Sequence, residues 1–119
     1  MSGLFDMFRG MGQFAGLMKN LPKIKEEMEQ LQTRLGQVVA EGDAGAGMVK
    51  VRCNGRMEIV GVTLSEDAFK GNDREMLEDL IRAAVNQAIA RAKQQAAEET
   101  NKMAVNLGLP PGMGLPGLG

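Results

Sequence analysis

The chain has 119 residues and a net charge of -1, from 14 basic and 15 acidic side chains; it has four Phe and ten Met, one Cys, and no His, Trp or Tyr. That length suits one domain, but with so few aromatic side chains its core is thin, and the charge balance does not announce a nucleic-acid binder. Without His, and with Cys53 alone, the commonest general base and zinc ligands are missing and no intrachain disulfide can form; an enzyme or a metal site is not expected, and no cofactor or small-molecule substrate is implied.

Residues 1–13 carry no clear period and are expected to be flexible. The opening "MSGLFDMFRGMGQFAGLM" is apolar but lacks a basic leader region, so it does not read as a signal peptide. A seam then begins: Phe14, Leu17, Leu21, Ile24, Met28, Leu31, Leu35, Val38. Its spacings alternate three and four, the heptad pattern of a helix packed along one narrow stripe. Pro22 interrupts it, so either the main helix starts there or an earlier helical piece kinks there. Gly36 sits where a helix would end.

Strand signals follow. "QVVAEGD" from Gln37 reads as a first strand, and "GDAGAG" (Gly42 to Gly47) as a turn. That Gly-rich run matches no phosphate-binding loop motif. Val49, Val51 and Cys53 alternate with Lys50 and Arg52, a half-buried strand. A third strand reaches about Leu64. Asn54-Gly55 invites a two-residue hairpin turn, but that register sets Val51 against Glu58. A four-residue loop, Gly55 to Glu58, instead pairs Val49 with Leu64, Val51 with Val62 and Cys53 with Val60. One face must be buried, so the apolar pattern selects the longer loop.

"LSEDAFKGND" is expected to be a connection, with Asn72 as helix N-cap and Glu75 completing a capping box. A second long helix then runs to about Leu107, with Leu77, Leu80, Ile81, Ala84, Val85 and Ala88 on its stripe. Beyond Ala88 the apolar positions shrink to Ala92, Ala96 and Ala97, which reads as a rod extending past the globular body. The tail "LGLPPGMGLPGLG" has no period and is expected to be disordered.

The expected class is therefore α+β: an α-β-β-β-α protomer whose three-stranded antiparallel sheet is flanked by two long helices. The domain would span 14–107, between the flexible 1–13 and a disordered tail at 108–119. Three strands and two stripes make a shallow layer, so two copies, packed or intertwined as a homodimer, are expected to complete the core. The expected core and dimer residues are Leu21, Ile24, Met28, Leu31, Leu35, Val49, Val51, Val60, Val62, Leu77, Leu80 and Ile81. No apolar run approaches the roughly 20 residues that span a bilayer, so no membrane partner is expected. A lone Cys fits a reducing cytoplasm.

"GAGMVKVRCNG" (Gly45 to Gly55) and "EMLEDLIRAAVNQAIARA" (Glu75 to Ala92), with the tail "GLPPGMGLP", resemble the YbaB/EbfC family of bacterial nucleoid-associated proteins. The resemblance implies a tweezer-like homodimer with helical arms, DNA binding with little sequence preference, and a place in the nucleoid, where it would affect nucleoid organisation or gene expression. The candidate DNA contacts are two basic clusters: Lys19, Lys23 and Lys25 on the first helix, and Arg91, Lys93 and Lys102 on the second. Lysines at such positions neutralise phosphates and release counterions. Each cluster also has a plain structural reading, a solvated helix face balanced by Glu26, Glu27 and Glu29 or by Glu98 and Glu99. Lys50, Arg52 and Arg56 read as the wet side of the sheet. The alternative function is a protein-interaction module that uses the heptad and Met surface without DNA.

Overall fold

The computed structural model describes the backbone of residues 2–108 and the side chains of residues 18–108. The order is α1 (Ser2–Gln37), β1 (Val39–Ala44), β2 (Val49–Asn54), β3 (Ile59–Leu64), α2 (Glu66–Lys70) and α3 (Arg74–Asn106). The α-β-β-β-α class holds, with a single helical turn, α2, added in the connection. The expected disordered tail falls almost entirely outside the described residues.

Helix α1 begins at Ser2, so it includes the stretch for which no period was evident, and it continues through Pro22. Proline there removes the partner of the Met18 carbonyl. Both residues are exposed, so water can take that bond. The N-cap of α3 is Asp73 rather than Asn72: its carboxylate accepts from the Met76 amide at 3.0 Å. Asn72 instead takes a positive φ of 49°, the bend that turns the chain into α3.

The sheet is antiparallel with β2 in the centre. Val49 pairs with Leu64 and Val51 with Val62, the register that puts apolar residues on one face. Cys53 pairs with Ile59 instead of Val60, because the ladder slips by a bulge between Arg52 and Cys53. The loop between β2 and β3 is the longer one.

Helix α3 lies across β1 and β2. Val49, Val51 and Cys53 from β2 meet Ala84, Ala88 and Ala92 from α3, all fully buried, with Ala40 from β1. Alanine at every fourth position makes a flat groove along the helix. That groove admits the sheet very closely: a Cβ on Gly42 would lie 2.2 Å from the Ala84 carbonyl oxygen. Leu77, Leu80, Ile81, Val85 and Ile89 flank the groove. Ala92 therefore belongs to the sheet contact, and Ala96 packs against α1. These alanines mark close approach, where the sequence suggested a free rod.

A second, smaller cluster joins the helices: Leu31 and Leu35 of α1 pack on Met103 of α3, with Ala96 and Leu107 beside them. Because α3 ends there, the part of α1 before Leu31 has little of α3 to pack on. Ile24 is half-buried, and Met18, Leu21 and Met28 are exposed. The radius of gyration is 21.4 Å, against about 13–14 Å for a compact domain of this length. The protomer is a small sheet-and-helix body with a projecting arm.

Strand β3 is left mostly uncovered by α3. Val62 shares a face with its partner Val51, and Val60 follows at period two. Yet Val60 is 52% and Val62 51% exposed. Of the expected core residues, Leu31, Leu35, Val49 and Val51 are buried; Ile24, Leu77, Leu80 and Ile81 are half-buried. Leu21, Met28, Val60 and Val62 lie outside the protomer's core.

Candidate nucleic-acid interface

Lys19, Lys23 and Lys25 are exposed on α1. At 100° per residue, Lys19 and Lys23 share one stripe opposite the apolar seam, whereas Lys25 lies on the seam's flank. The helix thus brings two of the three together. Glu27 and Glu29 stand four residues after Lys23 and Lys25, the spacing of helical ion pairs, but no ion pair to any of the three lysines forms among the described residues.

The second candidate cluster is dispersed. Arg91 and Lys102 fall on one stripe of α3 but stand about 16 Å apart along it, and Lys93 faces the other way. Arg91 is engaged: its Nη1 donates to the Glu41 carbonyl of β1 at 2.7 Å, tying helix to sheet. Lys102 Nζ lies 3.4 Å from Glu99 Oε1. Lys93 is exposed with no ion pair among the described residues.

Most other basic side chains of the body are also held. Arg34 Nε lies 3.3 Å from Glu99 Oε2, linking α1 to α3, though without hydrogen-bond alignment. Arg74 pairs with Glu78 and Arg82 with Asp79 along α3, and Lys70 with Glu66 on α2. On the outer sheet face Arg52 stands opposite Glu41, and Lys50 opposite Asp43. Opposite charges directly across a ladder favour each other, so that face is charge-balanced.

Sequence reasoning placed Arg56 near a loop tip on the wet side of the sheet. The structure turns its guanidinium onto helix α1: Nη2 donates to the Gln32 carbonyl at 2.9 Å and Nε at 3.3 Å. The signal was present in Gly36, whose missing side chain leaves room for the guanidinium. Cys53 is fully buried beside this loop, and its Sγ donates to the Asn54 carbonyl at 3.4 Å. Burial pushes its thiol pKa up, and the Glu58 carboxylate adds to the rise. Among the described residues no group of three potential metal ligands is found, and no helix is long and apolar enough to cross a membrane.

The geometry is thus an elongated protomer with exposed lysines on its projecting helix and, elsewhere, basic groups that are mostly held. A nucleoid-associated protein of Rhodopseudomonas palustris (strain ATCC BAA-98 / CGA009) is 38% identical over 105 residues, covering 88% of this chain and 99% of the relative. A second, from strain TIE-1, matches to the same extent. The fold is similar to the crystal structure of an uncharacterized protein from Helicobacter pylori, with a TM-score of 0.61, 24% identity, and coverage of 79% of this chain and 95% of that one. A sequence model of the YbaB/EbfC DNA-binding family matches residues 11–107, and the chain belongs to that family.

Proposed function

We propose that the chain is a homodimeric nucleoid-associated protein that holds DNA by its phosphate backbone, with little base readout. The observation that carries this reading is the placement of Lys19 and Lys23: exposed, unpaired among the described residues, and on the arm, whereas most basic groups of the body are engaged. Lysine presents a point charge on a flexible stem, suited to phosphates and poorly suited to bidentate base recognition. Such contacts release counterions and tolerate any sequence. Lys25 adds positive charge on the same arm, and Lys93 and Lys102 add theirs from α3. Arg91 contributes through the donors that its bond to Glu41 leaves free. The names of the Rhodopseudomonas relatives support a place in the nucleoid, within the cytoplasm, where backbone contacts would organise the chromosome or alter gene expression.

The second copy is supported by β3. Val60 and Val62 are half exposed on the face whose other strands form the core. Covering that floor in a partner would remove apolar area worth roughly 1 kcal/mol per valine. Two joined bodies carry two arms, and so two sets of lysines.

The test replaces Lys19, Lys23 and Lys25 together with alanine and titrates DNA binding between 50 and 200 mM salt. The expected result is weaker binding to two unrelated duplexes alike, with the log–log salt slope shallower by about 0.9 for each phosphate no longer held. Binding equal to the unsubstituted chain at 50 mM salt would remove the arm from the mechanism. If the unsubstituted chain binds no DNA, the exposed Met18, Leu21 and Met28 seam becomes the surface to pursue, as a protein-docking face.

A further inference from the structure

The loop between β2 and β3 does more than join two strands. Its backbone reaches the last turn of α1, where the Gly55 amide donates to the Leu35 carbonyl at 2.8 Å. Arg56 adds its forked donation to the Gln32 carbonyl, at 2.9 Å from Nη2 and 3.3 Å from Nε. The last carbonyls of a helix have no partner within it; the loop supplies one for Leu35, while the Gln32 carbonyl, a turn earlier, takes the Arg56 fork beside its place in the helix ladder.

The residues are fitted to that contact. A Cβ at Gly55 would lie 2.7 Å from the Leu35 carbonyl oxygen, and one at Gly36 2.9 Å from the Arg56 guanidinium. The loop itself is held from within by Asn54, which is buried. Asn54 Oδ1 accepts from the amides of Arg56 at 2.9 Å and Glu58 at 3.1 Å, while Nδ2 donates to Glu58 Oε1 at 2.9 Å. A rigid loop thus grips the base of a helix whose outer part has little else to lean on.

We propose that this loop is the joint that aims the arm, and that Arg56 is a positioning residue for DNA binding rather than a DNA contact; its link to DNA rests on the reading that the α1 lysines hold phosphate. Leverage makes the joint matter. Lys19 stands about 24 Å along the helix from Leu35, so a 10° swing about the joint carries it about 4 Å, enough to miss a phosphate. The Leu31–Leu35–Met103 cluster supplies a pivot, and the fork of Arg56 removes the freedom to turn about it.

Pulsed electron resonance between two spin labels tests this. In a Cys53→Ala background, Lys25→Cys and Thr63→Cys carry the labels, one on the arm and one on the outer sheet face. Labelled chains are refolded with an excess of unlabelled ones, so each measured pair lies within one protomer. Arg56→Met keeps the stem over Gly36 and removes the donors. It is expected to broaden the distance distribution by about 3 Å, the travel of a point about 15 Å from the pivot under that swing. Arg56→Lys, which retains one donor to Gln32, is expected to stay close to the parent, and Val49→Ala, which thins the sheet core, to leave the distribution unchanged. An Arg56→Met distribution equal to the parent's overturns the joint. If Arg56→Met does not fold, Arg56→Ala takes its place, with the same broadening expected and a distribution equal to the parent's overturning the joint.

DNA titration of the Arg56 substitutions made in the otherwise unsubstituted chain separates the two ideas. Arg56→Met is expected to weaken binding about threefold, near the worth of one held phosphate over a fourfold salt change, with Arg56→Lys restoring it. Weakened binding by Arg56→Met with an unchanged distance distribution would make Arg56 a DNA contact and end the proposal. If the parent binds no DNA, the proposed function fails while the label distances still judge the joint.

Discussion

Gly42→Ala is the sharpest perturbation of the fold. Gly42 lies where β1 crosses α3, and its added Cβ would stand 2.2 Å from the Ala84 carbonyl oxygen and 2.5 Å from the Ala88 amide nitrogen. Both are backbone atoms of a continuous helix, so no side-chain rotation relieves the clash. Restoring ordinary contact requires the helix to retreat by about 1 Å, and overpacking of this kind costs about 1–3 kcal/mol. The retreat also opens the packing of Val49, Val51 and Cys53 against Ala84, Ala88 and Ala92. A gap of that width forfeits a quarter to a half of the dispersion attraction across it, on the order of the same cost again. A destabilisation near 3 kcal/mol is therefore expected, which for a domain of this size lowers Tm by about 10 °C. Urea and thermal unfolding at one fixed protein concentration measure it, since a dimer's apparent stability depends on concentration. A variant within about 0.5 kcal/mol of the parent, the range of ordinary surface changes, would refute the close crossing.

Other outcomes follow from the same geometry. Asn54→Asp removes the Nδ2 donor and sets a second carboxylate against Glu58; it is expected to cost about 1–3 kcal/mol in urea unfolding, and unchanged stability would contradict the buried loop network. The raised Cys53 pKa means that folding favours the neutral thiol. Its contribution is therefore complete below the ordinary thiol pKa of about 8.5 and is lost as pH rises through the folded value. Urea midpoints compared between pH 7 and pH 10 should fall more steeply for the parent than for Cys53→Ala, and parallel slopes would show that the thiol is not part of the alkaline loss. Val60→Asp with Val62→Asp places charges on the uncovered β3 floor, and light scattering is expected to show the proposed dimer for the parent and monomer for the variant. A dimer of unchanged stability would move the interface elsewhere.

The periodicities carried much of the fold. Alternation in Val49, Val51, Cys53 and Val62 selected the strand face and the longer loop, because a one-residue slip reverses every side chain. The bulge at Cys53 was invisible, since the apolar alternation at Val60, Val62 and Leu64 runs unbroken past the slip between Arg52 and Cys53. Ala92 and Ala96 were misleading in the other direction: small residues look like a free rod until a partner, the sheet for one and α1 for the other, is brought against them. Asn72 and Asp73 both suit an N-cap, and backbone geometry rather than residue type decided between them.

The candidate site was legible in residue type but not in arrangement. Lys19 and Lys23 share a stripe by spacing alone, while the tethering of Arg91 to Glu41 and of Arg56 to Gln32 joins residues 50 and 24 positions apart in sequence. Long-range carbonyl partners leave no mark on local charge patterns. That is why Arg56 read as a solvated surface residue when it in fact closes the base of the arm.

The most direct measurement of the central claim is the salt dependence of DNA affinity for the unsubstituted chain on two duplexes of unrelated sequence. The account predicts affinity that falls linearly in log–log form, with one slope for both sequences and a magnitude of about 0.9 per phosphate held. Absence of binding at about 50 mM salt, or binding that ignores salt and prefers one sequence strongly, would contradict it.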